Sequence, residues 1–336
     1  MKPFQYLPAT TIEESRAALR QYRRSRLLAG GTDLLTLMKH DLDAPETLVR
    51  LPTTDELRTI TILPDGGIRI GAQVTLAELE RSEPLTDRFP LLRQAVRDAA
   101  TPQLRNRATV GGNLAQHTRC WYYRSPLMCW HKGSDTCYAR EGENKYSAIF
   151  EQSPCIAVHP SDLVPALIAL DASVTIEGDT GRRSMALADF MAPPEPARRR
   201  ETRLQSTDVI IDVGVPAVSL RSGGAFLKMM DRHAWAFAMT SAAVQLSLSN
   251  GNVSTARIVL GAVANVPVRA TVAEAALTGH YVTPELAARA GDLAMQGATP
   301  FAHNGYKVPQ ARELVRRAIL AAFEMASQPA SAVSGR

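Results

Sequence analysis

Apolar and polar positions alternate along this chain with two different periods. TIEESRAALRQYRR (11–24) has apolar residues at helical spacing and predicts an amphipathic helix, with Thr11 as N-cap and Glu14 completing a capping box. RLLAGGTDLLTLMK (26–39) reads as a strand, a glycine turn and a helix, while LVRL and IRIGAQVTL carry the β-branched residues of short strands. TLAELERS (75–82) and FPLLRQAVRDAA (89–100) read as helices, and SDLVPALIALDASVTIEG (161–178) as a helix feeding a strand. Residues 179–214 are polar and rich in Pro and Arg, which marks a linker between domains. Beyond it, GGAFLKMM and AVQLSLSNGNVSTARIVLGAV read as strands, with a hairpin turn at Ser-Asn-Gly-Asn (249–252). Helices at 271–277 and 309–326 complete a C-terminal α+β module, and residues 327–336 form a loose tail.

Composition changes this picture little. The chain has 336 residues, 45% hydrophobic and 21% charged, an ordinary globular balance with length for two or three packed domains. No segment reaches the roughly 18 unbroken apolar residues of a membrane helix. The N-terminus lacks a secretory apolar core and a twin-arginine motif, so the expected location is cytoplasmic, or periplasmic by co-export with a signal-bearing partner. The formal charge of +5 invites a nucleic-acid reading, but the basic residues are scattered. The one dense run, ARRRETR (197–203), sits beside MAPPEP and reads as part of the solvated linker.

Two glycine pairs carry candidate chemistry. AGGTD (29–33) puts Gly30 and Gly31 between a strand and a helix, where backbone amides can approach an anion. It is neither a GxGxxG nor a Walker loop, and a plain strand-to-helix turn is the simpler alternative. LRNRATVGGNL (104–114) repeats the device, with Thr109 and Asn113 as hydrogen-bonding side chains beside its glycines. Two such turns can clamp a long phosphodiester from both sides.

The four cysteines, Cys120, Cys129, Cys137 and Cys155, have eight, seven and seventeen residues between them. That spacing argues against the tight pairs of a structural zinc site. The compact run of small ferredoxins is absent too, but a long wrapping loop can ligate a [4Fe–4S] cluster. From the residues alone, four unligated structural cysteines remain an equal alternative. A Cys120–His117 hydrolase pair lacks any surrounding signature, and His131 and His233 read as surface or packing residues. Trp121, Tyr122 and Tyr123 read as a solvent shield.

AGGTD and the R-N-x-A-T-x-G-G-N segment resemble the FAD-binding subunits of the molybdenum hydroxylases, the xanthine dehydrogenase and carbon monoxide dehydrogenase family. The resemblance continues, in family order, through HPSDLVPALIALDA (159–172), GGAFLKMMDRHAWAFA (223–238) and NGYKVPQARELVRRAI (304–319). It implies an α+β fold: a two-lobed FAD-binding domain of the PCMH type (1–56 and 57–178), the linker, and a C-terminal domain of the CO dehydrogenase flavoprotein type (215–326). It implies that Arg26, Leu27, Leu28, Ala29, Gly30, Gly31, Thr32, Asp33 and Leu34, with Thr109, Gly112 and Asn113, cradle the FAD pyrophosphate and its neighbours. Asp162 would hydrogen-bond the adenosine or ribityl part with His159 nearby, and Lys228 would lie near the flavin.

The cysteine pattern resembles a subgroup that inserts a four-cysteine, [4Fe–4S]-binding loop, here at about 115–156. That subgroup includes the flavin subunits of periplasmic aldehyde oxidoreductase and 4-hydroxybenzoyl-CoA reductase. CWHKGSDTC departs from it by shortening the loop. The chain shows no molybdopterin-subunit sequence and no [2Fe–2S] motif. The resemblance therefore implies an electron-transfer subunit working with a large molybdenum-cofactor subunit, a small [2Fe–2S] subunit and an external electron acceptor or donor, without nucleic acid or membrane insertion. A stand-alone flavin oxidoreductase, and a non-redox scaffold with zinc or free cysteines, are the alternatives.

Overall fold

The computed structural model describes residues 1–232 and 235–328, without the side chains of residues 84, 86 and 87. The chain begins with three parallel strands joined by helical crossovers. β1 (Gln5–Pro8), β2 (Ser25–Leu28) and β3 (Thr47–Arg50) form a sheet with β3 in the middle, and helices Ile12–Gln21 and Leu34–Lys39 make the crossovers that parallel pairing requires. The first helix is shorter than its periodicity suggests, because Tyr22 turns extended and Arg24 takes a φ of 51°. Its cap is shared between two threonines. Thr11 Oγ1 accepts from the Glu14 amide at 3.0 Å, while the Glu14 carboxylate accepts from the amide of Thr10, not Thr11, at 2.7 Å.

The second sheet is antiparallel and contains β4 (Ile60–Ile62), β5 (Ile68–Gly71), β6 (Ser173–Gly178), β7 (Gly181–Ala186) and β8 (Val209–Val215), in the order β4-β5-β8-β6-β7. The linker expected at 179–214 is therefore corrected. It supplies edge strand β7, helix Leu187–Phe190 and central strand β8. β8 is buried on both faces, so it reads as an apolar run without alternation and is easily lost among Pro-rich and Arg-rich neighbours. Helices Leu76–Glu80, Pro90–Asp98 and Leu163–Ala169 share the core of this sheet through Leu79, Leu91, Leu92, Leu163, Val174 and Val213.

β9 (Ser222–Met229), β10 (Thr240–Ser249), β11 (Asn252–Gly261) and β12 (Val268–Arg269) form the third sheet, antiparallel in the order β12-β11-β10-β9. The Ser-Asn-Gly-Asn hairpin forms as read, with Asn250 and Gly251 at φ 52° and 82°. Helices Thr271–Leu277, Pro284–Leu293 and Lys307–Ser327 close a second core with this sheet. Pro284–Leu293 escapes sequence reading because its buried face is made of Ala287, Ala290 and Gly291 rather than large apolar residues. The last helix runs to Ser327, and most of the expected tail (329–336) lies outside the described residues, as does His233. Among the described residues no helix is long and apolar enough to cross a membrane.

Candidate cofactor site

The two glycine turns meet. β2 delivers Ala29–Asp33 to one side of a cleft, and Thr109, the N-cap of helix Val110–Leu114, delivers the second turn to the other. Gly30 packs so tightly that a Cβ would land on the Arg107 carbonyl, and Gly31 sits at φ +76°. Gly111, which sequence reading passed over for its neighbour Gly112, rests against Ala72, and a Cβ there would press on it at 3.0 Å. Thr109 Oγ1 accepts from the Gly112 amide at 3.2 Å, which leaves its hydroxyl hydrogen for a ligand. Asn113 Oδ1 accepts from Ser161 Oγ at 2.5 Å, so its amide nitrogen remains free to donate.

Arg26 through Leu34, Thr109 and Gly112 line one cavity of about 230 Å³. Thr32, Asp33, Gly112 and Gln116 also line a second cavity of about 100 Å³, which Asn113 and Asp162 help enclose. Through Arg119, Asp162, Trp235 and Phe237 this passes into a third, of about 490 Å³, whose wall includes His159 and Cys120. All the predicted FAD-site residues except Lys228, which is buried behind Asp162, thus face one continuous trench with glycines at its tightest points. A dinucleotide fits that shape: long, anionic in the middle, and in need of backbone amides without side chains in the way.

Asp33 caps helix Leu34–Lys39 by position but not by hydrogen bond. Its carboxylate instead accepts from the His117 amide at 2.9 Å, Arg119 at 2.9 Å and Arg124 at 2.8 Å. Burial works against the ionised form, but the His117 hydrogen bond and the Arg119 charge outweigh it and hold the carboxyl far below its ordinary range. Asp33 therefore ties the first glycine turn to the start of the cysteine loop.

Asp162 and Lys228 form a buried ion pair at 2.7 Å, and the same ammonium donates to the Asp98 carbonyl at 2.9 Å. Burial pushes the Asp162 carboxyl up against the pull of Lys228. His159 is also buried; its Nδ1 faces the Ser161 amide at 3.4 Å, and its Nε2 has no partner among the described residues. Burial pushes the imidazole down to about 4, so it is neutral at pH 7.

The cysteine loop has little regular structure beyond a single 3-10 turn at Trp130–Lys132. Cys120, Cys129, Cys137 and Cys155 nevertheless face one gap of about 10 Å³, walled by Tyr122, Tyr123, Trp130 and Tyr138. Cys137 and Cys155 interact directly: their mutual hydrogen bond pushes the Cys137 thiol down and the Cys155 thiol up. Among the described residues, no group of three or more His, Cys, Asp or Glu side chains is placed to hold a metal ion. Four cysteine side chains around one gap inside an aromatic shell are the donor set, in number and kind, that a [4Fe–4S] cube takes.

Two outside segments hold this loop. Lys307, fully buried, donates to the carbonyls of Tyr146 at 3.2 Å, Ser147 at 2.8 Å and Ala262 at 2.8 Å. Asn304 donates to the Ser147 and Ala148 carbonyls at 3.2 and 3.0 Å. The second segment is the basic run itself: Arg199 donates to the Trp130 and Ser134 carbonyls. The solvated-linker reading of 197–203 is corrected accordingly.

Residues 2–218 match the family model of the FAD binding domain in molybdopterin dehydrogenase, and residues 225–322 that of the CO dehydrogenase flavoprotein C-terminal domain. The chain belongs to the FAD-binding subunits of the molybdenum hydroxylases. It is 35% identical over 315 residues to the aldehyde oxidoreductase FAD-binding subunit PaoB of Escherichia coli (strain K12), covering 92% of this chain and 94% of that one. It also resembles the carbon monoxide dehydrogenase medium chain of Hydrogenophaga pseudoflava, at 29% identity over 95% of this chain and 97% of that one. Among solved structures, quinoline 2-oxidoreductase from Pseudomonas putida 86 superposes with a TM-score of 0.77 at 25% identity, covering 98% of this chain and 100% of its own. Members of this family are oxidoreductase subunits, and the α+β expectation agrees with these neighbours.

Proposed function

We propose that this chain is the FAD and [4Fe–4S] electron-transfer subunit of a three-subunit molybdenum hydroxylase of the aldehyde or aromatic-substrate type. It relays electrons between a partner's [2Fe–2S] clusters and an external acceptor, while substrate chemistry belongs to a large molybdenum-cofactor subunit. The observation that carries this reading is that Cys120 lines both the cysteine gap and the wide end of the trench, so two redox groups would sit side by side. When bound, flavin supplies exchange of one electron with a cluster and two with an acceptor.

The chain's own residues bind and position. The Arg26–Leu34 segment, Thr109, Gly112 and Asn113 receive the pyrophosphate and its neighbours. Asp162, held by Lys228, offers an acceptor to the adenosine or ribityl hydroxyls, and His159 offers a neutral N–H beside it. Lys228 is the cation near the flavin. Cys120, Cys129, Cys137 and Cys155 are the iron ligands, and the aromatic wall excludes water from them.

Oxygen-free purification followed by a visible spectrum and metal analysis tests the reading. Flavin bands with about four irons per chain are expected. A colourless or zinc-loaded protein overturns it, and turnover of an organic substrate by the isolated chain favours a self-sufficient flavin oxidoreductase instead.

A further inference from the structure

Three consecutive arginines, Arg198, Arg199 and Arg200, go to three different places. Arg198 folds back on its own loop, donating to the Pro193 carbonyl at 2.8 Å and to those of Ala192 and Thr202 at 3.3 and 3.4 Å. That staple closes residues 191–202 into a loop with bridges at Met191–Thr202 and Glu195–Arg198. With the loop fixed, its neighbours are aimed.

Arg199 reaches the cysteine loop. Its guanidinium lies 4.7 Å from the centre of the Trp130 ring and donates to the Trp130 carbonyl and, at 2.8 Å, to that of Ser134. Both acceptors lie between Cys129 and Cys137, and Trp130 packs against Cys155, Cys120 and Cys137. One side chain thus immobilises the segment joining two thiols and puts a permanent positive charge next to their gap.

Arg200 turns to the trench, where it lines the cavity shared by Gly30, Gly31, Thr109 and Gly112. Arg26 in the same cavity is paired with Asp43 at 2.9 Å, whereas the Arg200 guanidinium has no hydrogen-bond acceptor among the described residues. A planar fork of donors beside a glycine-lined anion cleft matches a phosphate oxygen pair.

We infer that the Arg198–Arg200 loop is a positioning bridge between the two cofactor sites: Arg199 sets the geometry and charge around the cysteine gap, and Arg200 supplies a cation to the dinucleotide phosphates. The inference rests on the cofactor reading above and extends it to residues outside both motifs. A cation beside an anionic cluster favours its more negative, reduced form and raises its potential.

The test uses the full chain with its copurifying partners, prepared without oxygen, as Arg199→Gln, Arg199→Lys and Arg200→Gln. Iron and flavin stoichiometry, cluster midpoint potential, iron loss to a chelator and FAD dissociation are measured. Arg199→Gln should lower the potential and speed iron loss with flavin unchanged. Arg199→Lys should restore the potential but not chelator resistance, because an ammonium keeps the charge without bridging two carbonyls. Arg200→Gln should weaken FAD binding about tenfold, with iron and potential unchanged. An iron-containing Arg199→Gln protein with wild-type potential and chelator resistance overturns the inference. So does equal loss of both cofactors in both substitutions, the mark of general unfolding. Wild-type protein without iron overturns the cluster reading beneath it as well, which separates the two failures.

Discussion

The glycine cleft and the cysteine loop lie side by side but are built in opposite ways. The cleft is a product of backbone: strand ends, helix starts and glycines whose missing Cβ atoms let two turns touch. The loop between helices Val110–Leu114 and Leu163–Ala169 has almost no backbone ladder of its own and borrows its shape from side chains elsewhere, chiefly Lys307, Asn304 and Arg199. A backbone-built site is rigid wherever its sheet is rigid, whereas a side-chain-hung loop is only as fixed as its hooks.

The largest effect should come from attacking the backbone-built side. Gly30→Val drives a side chain into the Arg107 carbonyl, so bound flavin, read by absorbance after gel filtration, should fall to near zero. Stoichiometric flavin in that variant would remove the tight turn from the account. Cys137→Ser attacks the other side: iron should drop steeply while flavin largely stays, and full iron retention would show that Cys137 is not a ligand.

Third is the hook. Lys307→Met leaves the Tyr146 and Ala262 carbonyls without their donor, and the Ser147 carbonyl with Asn304 alone, and should cost about 2–4 kcal/mol in chemical denaturation. The damage should concentrate on iron loading rather than flavin; equal loss of both would erase the contrast between the two regions.

The smallest effect is a pH slope. His159, held near 4 in the folded chain against about 6.5 when unfolded, is neutral in both states above pH 6.5. As the pH falls toward 4 only the unfolded chain takes up the proton, so folded stability declines, by about 2 kcal/mol at pH 5. His159→Gln should flatten that slope in denaturation curves collected from pH 7 to 5, and an unaltered slope would assign it to other groups.

The glycine pairs were legible in the sequence because their chemistry is local: turn, helix start and cap lie within five residues of one another. So were the hairpin and the strand–turn–helix of 26–39, where composition and period agree. The hooks were not. Asp33 and His117 are 84 positions apart, and Lys307 and Ser147 are 160 apart, so nothing near either residue announces its partner. β8 failed for another reason, since a strand buried on both faces loses the alternation that identifies strands. The basic run misled because three adjacent charges look solvated in a line of text, while folding sends them to separate destinations.

Lys307 and Asn304 are synthesised about 160 residues after the backbone they secure. The thiol loop is therefore made before its fastening exists. A product truncated before Asn304 would lack the Asn304 and Lys307 donors to the Tyr146–Ala148 backbone.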